Sequence, residues 1–206
     1  MVREKRAVFH NCPKPRRDVL KYFERDARKF RGDDREILMS FPTDPYQPME
    51  MELGITRRAI EISIENGLRF SILTKGGSRA IRDFDLLKNY DRCRFAQTII
   101  FTEQADADRW ELHAPPLADR IAALQEAHRR GIKTWVSLEP VIIPEQALEL
   151  IKVLHPIVGQ WKVGKLNYHR PPKPVDWTRF REEAKELLDS LGADYYIKRS
   201  LTELRR

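Results

Sequence analysis

The chain has 206 residues, 41% of them hydrophobic, enough for one domain with its own core and ordinary for a soluble protein. No apolar run approaches the ~20 residues that cross a bilayer, and the charged N-terminus lacks the apolar stretch of a secretory signal, so a cytoplasmic protein with no membrane partner is expected. The formal net charge of +7 is uneven: residues 1–31 carry 11 Lys/Arg and 4 Asp/Glu, and the remainder is near neutral.

Residues 14–31 read as a helix. Val19, Leu20, Phe23, Ala27 and Phe30 recur at three- and four-residue steps in one apolar stripe, with Pro13 and Pro15 at its start and Gly32 at its end. The apolar run 37–41 is long enough for a buried strand and stops at Pro42. A polar, stiff loop follows, Thr43 to Glu50, pinned by Pro42, Pro45 and Pro48. Each proline fixes its own φ and pushes the residue before it out of the helical region. Thr56 is the expected N-cap of a helix over 56–66, with Ile60 and Ile64 inward and Gly67 as its stop.

Strand 68–74 ends at Lys75-Gly76-Gly77, and Ser78 is expected to cap a helix running to about residue 90. Strand 95–102 leads into a longer polar loop holding Trp110 and Glu111. A helix marked by Leu117, Ile121, Leu124 and His128 closes at Gly131, with His128 expected to pack. Strand 133–138 precedes a helix that starts at Pro144 and carries Leu148, Ile151 and Leu154. Strand 159–165, a stiff connector with Pro171, Pro172 and Pro174, a helix over 177–191 and a short strand over 195–198 complete the chain.

Strand and helix alternate, with connections too long for hairpins. That pattern predicts right-handed crossovers, a parallel sheet and a single α/β domain spanning residues 1–206. In such folds the chemistry gathers at the C-terminal ends of the strands. Those ends are expected to collect Ser40, Thr43 and Asp44, then Lys75, then Thr98 and Thr102, then Ser137 and Glu139, then Lys162, Lys165 and Asn167. One polar rim beside apolar strands suggests a ligand site. Lys75-Gly76-Gly77 also reads as a backbone anion nest or a plain turn. Arg82 with Asp83, and Glu111 with Arg120, read as structural ion pairs. His10, His113, His128, His155 and His169 show no metal-ligand spacing.

Thr43-Asp-Pro-Tyr-Gln-Pro after a strand resembles the radical S-adenosylmethionine (SAM) proteins of the spore photoproduct lyase-like group. The resemblance continues through Leu73-Thr-Lys-Gly-Gly, Arg82-Asp-Phe-Asp-Leu-Leu, Trp135-Val-Ser-Leu-Glu-Pro-Val, Lys162-Val-Gly-Lys-Leu-Asn and Tyr196-Ile-Lys, in order along nearly the whole chain. It implies a partial TIM-type (β/α) barrel lacking its first strand, with the edge of strand 37–41 left open to self-association. It also implies SAM as cofactor. Ser40 or Thr43, with Asp44, would serve the amino group, and Lys75 the carboxylate. Thr98 would lie near the ribose, and Ser137 and Glu139 near the nucleoside. Tyr46, Gln47, Lys162, Lys165 and Asn167 would line the rim or the substrate.

The sequence departs from this family at one point. Radical SAM enzymes hold a 4Fe-4S cluster with Cys-x3-Cys-x2-Cys after the first strand, because thiolates ligate such clusters. Cys12 and Cys93 are far apart and match no such motif, so no metal ligands are expected in the chain. A late start codon, a split or decayed gene, or a cluster-free descendant would each explain this. In full-length form the expected reaction is reductive cleavage of SAM to a deoxyadenosyl radical acting on an unknown substrate, with a reductant such as flavodoxin or ferredoxin. The alternative is a non-catalytic module that binds nucleic acid or a protein through the basic N-terminal segment. A lysine-dependent enzyme using Lys75, Lys162 or Lys165 as a Schiff base is a third reading.

Overall fold

The computed structural model describes residues 14–40, 43–167 and 171–203. Helix α1 (Val19–Lys29) is amphipathic, and its Ala27, Leu20 and Phe23 pack on Ile62, Leu68 and Ile37. It is shorter than the sequence predicts. Phe30 lies past its last turn, 47% exposed, with the Arg35 guanidinium over its ring.

Strand β1 (Glu36–Met39) opens the sheet, and a loop and a one-turn helix α2 (Glu50–Leu53) follow it. Helix α3 (Ile55–Glu65) then leads to β2 (Arg69–Thr74). After β2 comes a 3-10 turn (Gly77–Asp83) and the short α4 (Phe84–Leu87), where the sequence predicts one continuous helix. Strand β3 (Cys93–Thr98) stops earlier than predicted, and Thr102 lies beyond it. The segment expected to be a polar loop holds helix α5 (Gln104–Trp110). Helix α6 (Leu117–Arg129) presents Ala123, Leu124 and Ala127 inward, while His128 is exposed rather than packed. Strand β4 (Thr134–Val141), α7 (Pro144–Leu154), β5 (Gln160–Lys165), α8 (Trp177–Ser190), β6 (Tyr195–Ile197) and the short α9 (Arg199–Thr202) complete the order.

The six strands form one parallel sheet in the order β1-β2-β3-β4-β5-β6. This is an open, partial barrel. Among the described residues β1 has a partner on one side only. Side chains alternate across a strand, so the register separates two faces. One face carries Phe70, Ile72, Phe95, Val136, Leu138, Trp161 and Val163, buried against the helices in two core clusters. The other carries Leu73, Ala96 and Trp135, which sit side by side in register and belong to neither cluster. This second, concave face has no helix packed on it in those clusters, and it is where the polar strand-end residues collect.

Candidate functional site

The loop after β1 is fastened by its own side chains. Asp44 accepts from Thr74 Oγ1 at 2.5 Å, from the Lys75 amide at 2.6 Å and from the Tyr46 amide at 2.8 Å. Both carboxylate oxygens are thereby engaged within the protein. Tyr46, expected at the rim, is instead fully buried, and its hydroxyl donates to Asp83 at 3.0 Å. Burial and the Asp83 carboxylate raise its phenol well above the ordinary tyrosine value. Glu50 is buried as well. Its carboxylate accepts from the Ile55 and Thr56 amides at 3.2 and 2.8 Å and pairs with Arg82 at 2.7 Å. It therefore does the capping expected of Thr56, whose hydroxyl instead donates to the Pro45 carbonyl. Asp83, with no exposed side-chain surface, pairs with Arg57 at 3.0 Å, so the Arg82/Asp83 motif is structural as the sequence suggests. Gln47, half-buried, makes no side-chain hydrogen bond among the described residues.

The glycine pair after β2 has a steric cause. A Cβ on Gly76 would lie 2.5 Å from Tyr46 Cβ. Gly77 has φ +57, and a Cβ there would lie 1.9 Å from Asp119 Oδ2. Asp119 accepts from the Ser78 amide at 2.9 Å, so this chain's own carboxylate already fills the turn read as an anion nest. Lys75 stands beside the turn, 38% exposed, with Nζ 3.2 Å from Glu111 Oε1. The other oxygen of Glu111 meets Arg120 Nη1 at 2.6 Å, and both of these side chains are almost fully buried. Arg120 also donates to the Thr98 and Pro115 carbonyls. The lysine thus shares a buried carboxylate with a structural arginine while its ammonium reaches the rim.

The concave face is layered. At its N-terminal end Arg94 donates to Glu36 on β1 at 2.6 and 2.9 Å and to Gln160 on β5 at 2.9 Å. Gln160 donates onward to Asp194 at 2.7 Å. This belt ties β1, β3, β5 and the approach to β6. Above it lies Trp135, 1% exposed, donating through its indole N–H to Ser71 at 2.7 Å. The next layer sets Thr98, Ser137 and Lys162 side by side in register. Thr98 and Ser137 are 7% and 4% exposed, and neither hydroxyl has a hydrogen-bond partner among the described residues. The last layer holds Glu139, which pairs with Lys198. A Cβ on Gly164 would lie 2.8 Å from the Glu139 carboxylate, so a glycine on β5 gives that side chain its room.

The structure therefore sorts the residues singled out from the sequence. Asp44 and Tyr46 hold the loop, Lys75 and Glu139 are ion-paired at the rim, and Thr98, Ser137 and Lys162 form one row. Ser40 and Thr43 are half-buried at the end of β1 and in the loop, without side-chain hydrogen bonds among the described residues. Lys165 is half-buried at the end of β5, and Asn167 is exposed beyond it. Sequence reasoning missed the roles of Arg94, Gly164 and Lys198, whose partners come from other strands.

The residues present do not fit an iron–sulfur cluster. Among the described residues no group of three or more His, Cys, Asp or Glu could hold a metal. Cys93 is buried, and burial pushes its thiol up to about 12. A thiol of that pKa is about one part in ten thousand thiolate at pH 8. Cys12 lies outside the described residues. Native protein treated with iodoacetamide at pH 8 is expected to stay unmodified at Cys93 and to react there only when unfolded. Peptide mass spectrometry checks this, and rapid native alkylation of Cys93 would contradict the burial.

The open parallel (β/α) sheet is a fold shared with solved proteins. The fold matches Streptococcus suis SuiB bound to S-adenosylmethionine with a TM-score of 0.69 at 12% identity, covering 95% of this chain and 48% of that one. SuiB bound to its precursor peptide SuiA matches at 0.70 and 13% identity, over 91% of this chain and 44% of that one. A spore photoproduct lyase variant with bound AdoMet and dinucleoside spore photoproduct matches at 0.65 and 13% identity, over 87% and 66%. No family model matches the chain. In sequence, 107 residues are 32% identical to an uncharacterized protein of Methanocaldococcus jannaschii, over 52% of this chain and 40% of that protein. An uncharacterized protein of Acidianus two-tailed virus is 30% identical over 117 residues, 56% and 38% of the two chains. The chain thus spans about two fifths of the length of these curated relatives. No helix among the described residues is long and apolar enough to cross a membrane.

Proposed function

We propose that the chain is the SAM-binding part of a radical SAM protein of the spore photoproduct lyase-like group. The observation that carries this reading is the row of unengaged hydroxyls. Thr98 and Ser137 lie side by side, nearly buried, at the C-terminal ends of neighbouring strands, on a fold it shares with proteins solved with SAM bound. Neither hydroxyl is spent on a contact among the described residues, so both are free to meet a ribose or adenine edge. Ser40 and Thr43 stand ready for the amino group across the same rim. Lys75 would meet the carboxylate as a point charge, exchanging or sharing its contact with Glu111. Asp44 serves the site through the loop that it holds.

When bound, a 4Fe-4S cluster would supply electron transfer to SAM. The described residues provide no thiolates for it, so the reaction and its substrate belong to this proposal only through the family resemblance.

Isothermal titration calorimetry with SAM tests the reading. Lys75→Ala is expected to weaken binding about tenfold to a hundredfold, the worth of one charge-assisted contact. The fold should persist, because Glu111 keeps its contact with Arg120. Ser137→Ala should weaken binding by a smaller factor. Absence of SAM binding by the wild-type chain, or unchanged affinity in both variants, would remove this assignment.

A further inference from the structure

Among the described residues, cations on the concave face and at its rim meet carboxylates, Lys75 through Glu111. Arg69 and Arg94 meet Glu36, and Lys198 meets Glu139. Lys162 has no carboxylate within ion-pair distance among the described residues. The only acidic side chain outside those residues is Glu4. Its Nζ instead lies 3.9 Å from the centre of the Trp135 ring, in the middle of the face. Trp135 is itself fixed by Ser71, so the ammonium rests on a rigid platform.

We infer that Lys162 is the anchor for an oxyanion of the substrate, a carboxylate or a phosphate, held inside the barrel beneath the strand-end rim. A half-buried cation with no carboxylate in direct contact among the described residues is stabilised by an anion that enters with a ligand. Burial, with Arg94 and Lys198 nearby, lowers the lysine below its usual value, and Glu36 opposes this in part. A bound oxyanion would reverse that shift by opposing the like charges. Glu139 is already paired with Lys198, and Glu36 with Arg94, so neither competes directly for the ammonium. Calling the anion's bearer the substrate rests on the SAM reading above; the anion site itself does not.

The test uses the 206-residue chain labelled at lysine side-chain nitrogen, titrated with inorganic phosphate and, separately, with acetate. The Lys162 resonance, assigned by its loss in Lys162→Arg, is expected to shift saturably with one of the two probes, and that probe names the source of the oxyanion. Its titration midpoint should rise in the presence of that anion. Lys162→Gln should weaken the binding by about tenfold or more, and Lys185→Gln, on the exposed face of α8, should leave it unchanged. Failure of both anions to move Lys162 in the wild-type chain would overturn the inference, as would equal binding in Lys162→Gln. Anion binding at Lys162 without any SAM binding would support the inference and remove the SAM reading instead.

Discussion

Replacing Arg120 with methionine is expected to cost about 3–5 kcal/mol of folding stability. The guanidinium is 1% exposed and lies 2.6 Å from Glu111, itself nearly buried. It also satisfies the carbonyls of Thr98 and Pro115, which end β3 and precede α6. Removing it leaves a buried carboxylate with only the half-exposed Lys75 for compensation, and it leaves two carbonyls without a donor. The penalty for an unpaired buried charge exceeds what the intact pair contributes. Combining Arg120→Met with Glu111→Gln should therefore recover more than half of the loss. Urea denaturation of the two variants checks this. A single variant within about 1 kcal/mol of wild type would show that water, not Arg120, compensates Glu111. The single variant should also loosen Lys75, because its carboxylate partner is no longer held from the other side.

Asp44→Ala should destabilise the chain by about 3 kcal/mol and weaken SAM binding, though the site needs no contact between Asp44 and SAM. Three donors converge on this carboxylate, from Thr74, Lys75 and Tyr46. They tie the loop after β1 to the end of β2, the turn that presents Lys75. Alanine leaves the Lys75 and Tyr46 amides without acceptors and frees the loop to drift from the rim. Asp44→Asn, which keeps one acceptor oxygen, should fall between. Hydrogen exchange at the Tyr46 and Lys75 amides reads the effect directly. Unchanged protection in Asp44→Ala would mean that the prolines alone hold the loop. Weaker SAM binding with unchanged protection would return Asp44 to the role of a direct ligand.

The two predictions concern motifs visible in the sequence, but the sequence could not say what those motifs touch. Thr43-Asp-Pro-Tyr-Gln-Pro reads as a row of side chains offered to a ligand. In the fold Asp44 and Tyr46 turn inward, because the loop crosses the end of β2 and needs acceptors and filling there. Glu50, which reads only as the polar end of the loop, is a helix cap. Lys75 is part-exposed beside the turn, and its ammonium already has Glu111, thirty-six positions away and on a segment that reads as a loop.

What the sequence determined by itself is the alternation of elements. Apolar runs of strand length, glycine stops and proline starts place all six strands and their parallel direction, because these are local preferences of the backbone and its side chains. Boundaries moved by a few residues where tertiary contacts outweigh local ones, as at β3 and in the turn after β2. Only the tertiary structure decided which face each polar residue shares, and with whom. Arg94 finds Glu36 and Gln160 two strands away on either side, and Gly164 is a glycine because Glu139 lies against it from β4. Among the described residues Lys162 is left without a carboxylate partner because the register sets it over Trp135 and gives the nearby acids to other partners. Such pairings depend on strand order and register across the sheet, which no local stretch of sequence encodes.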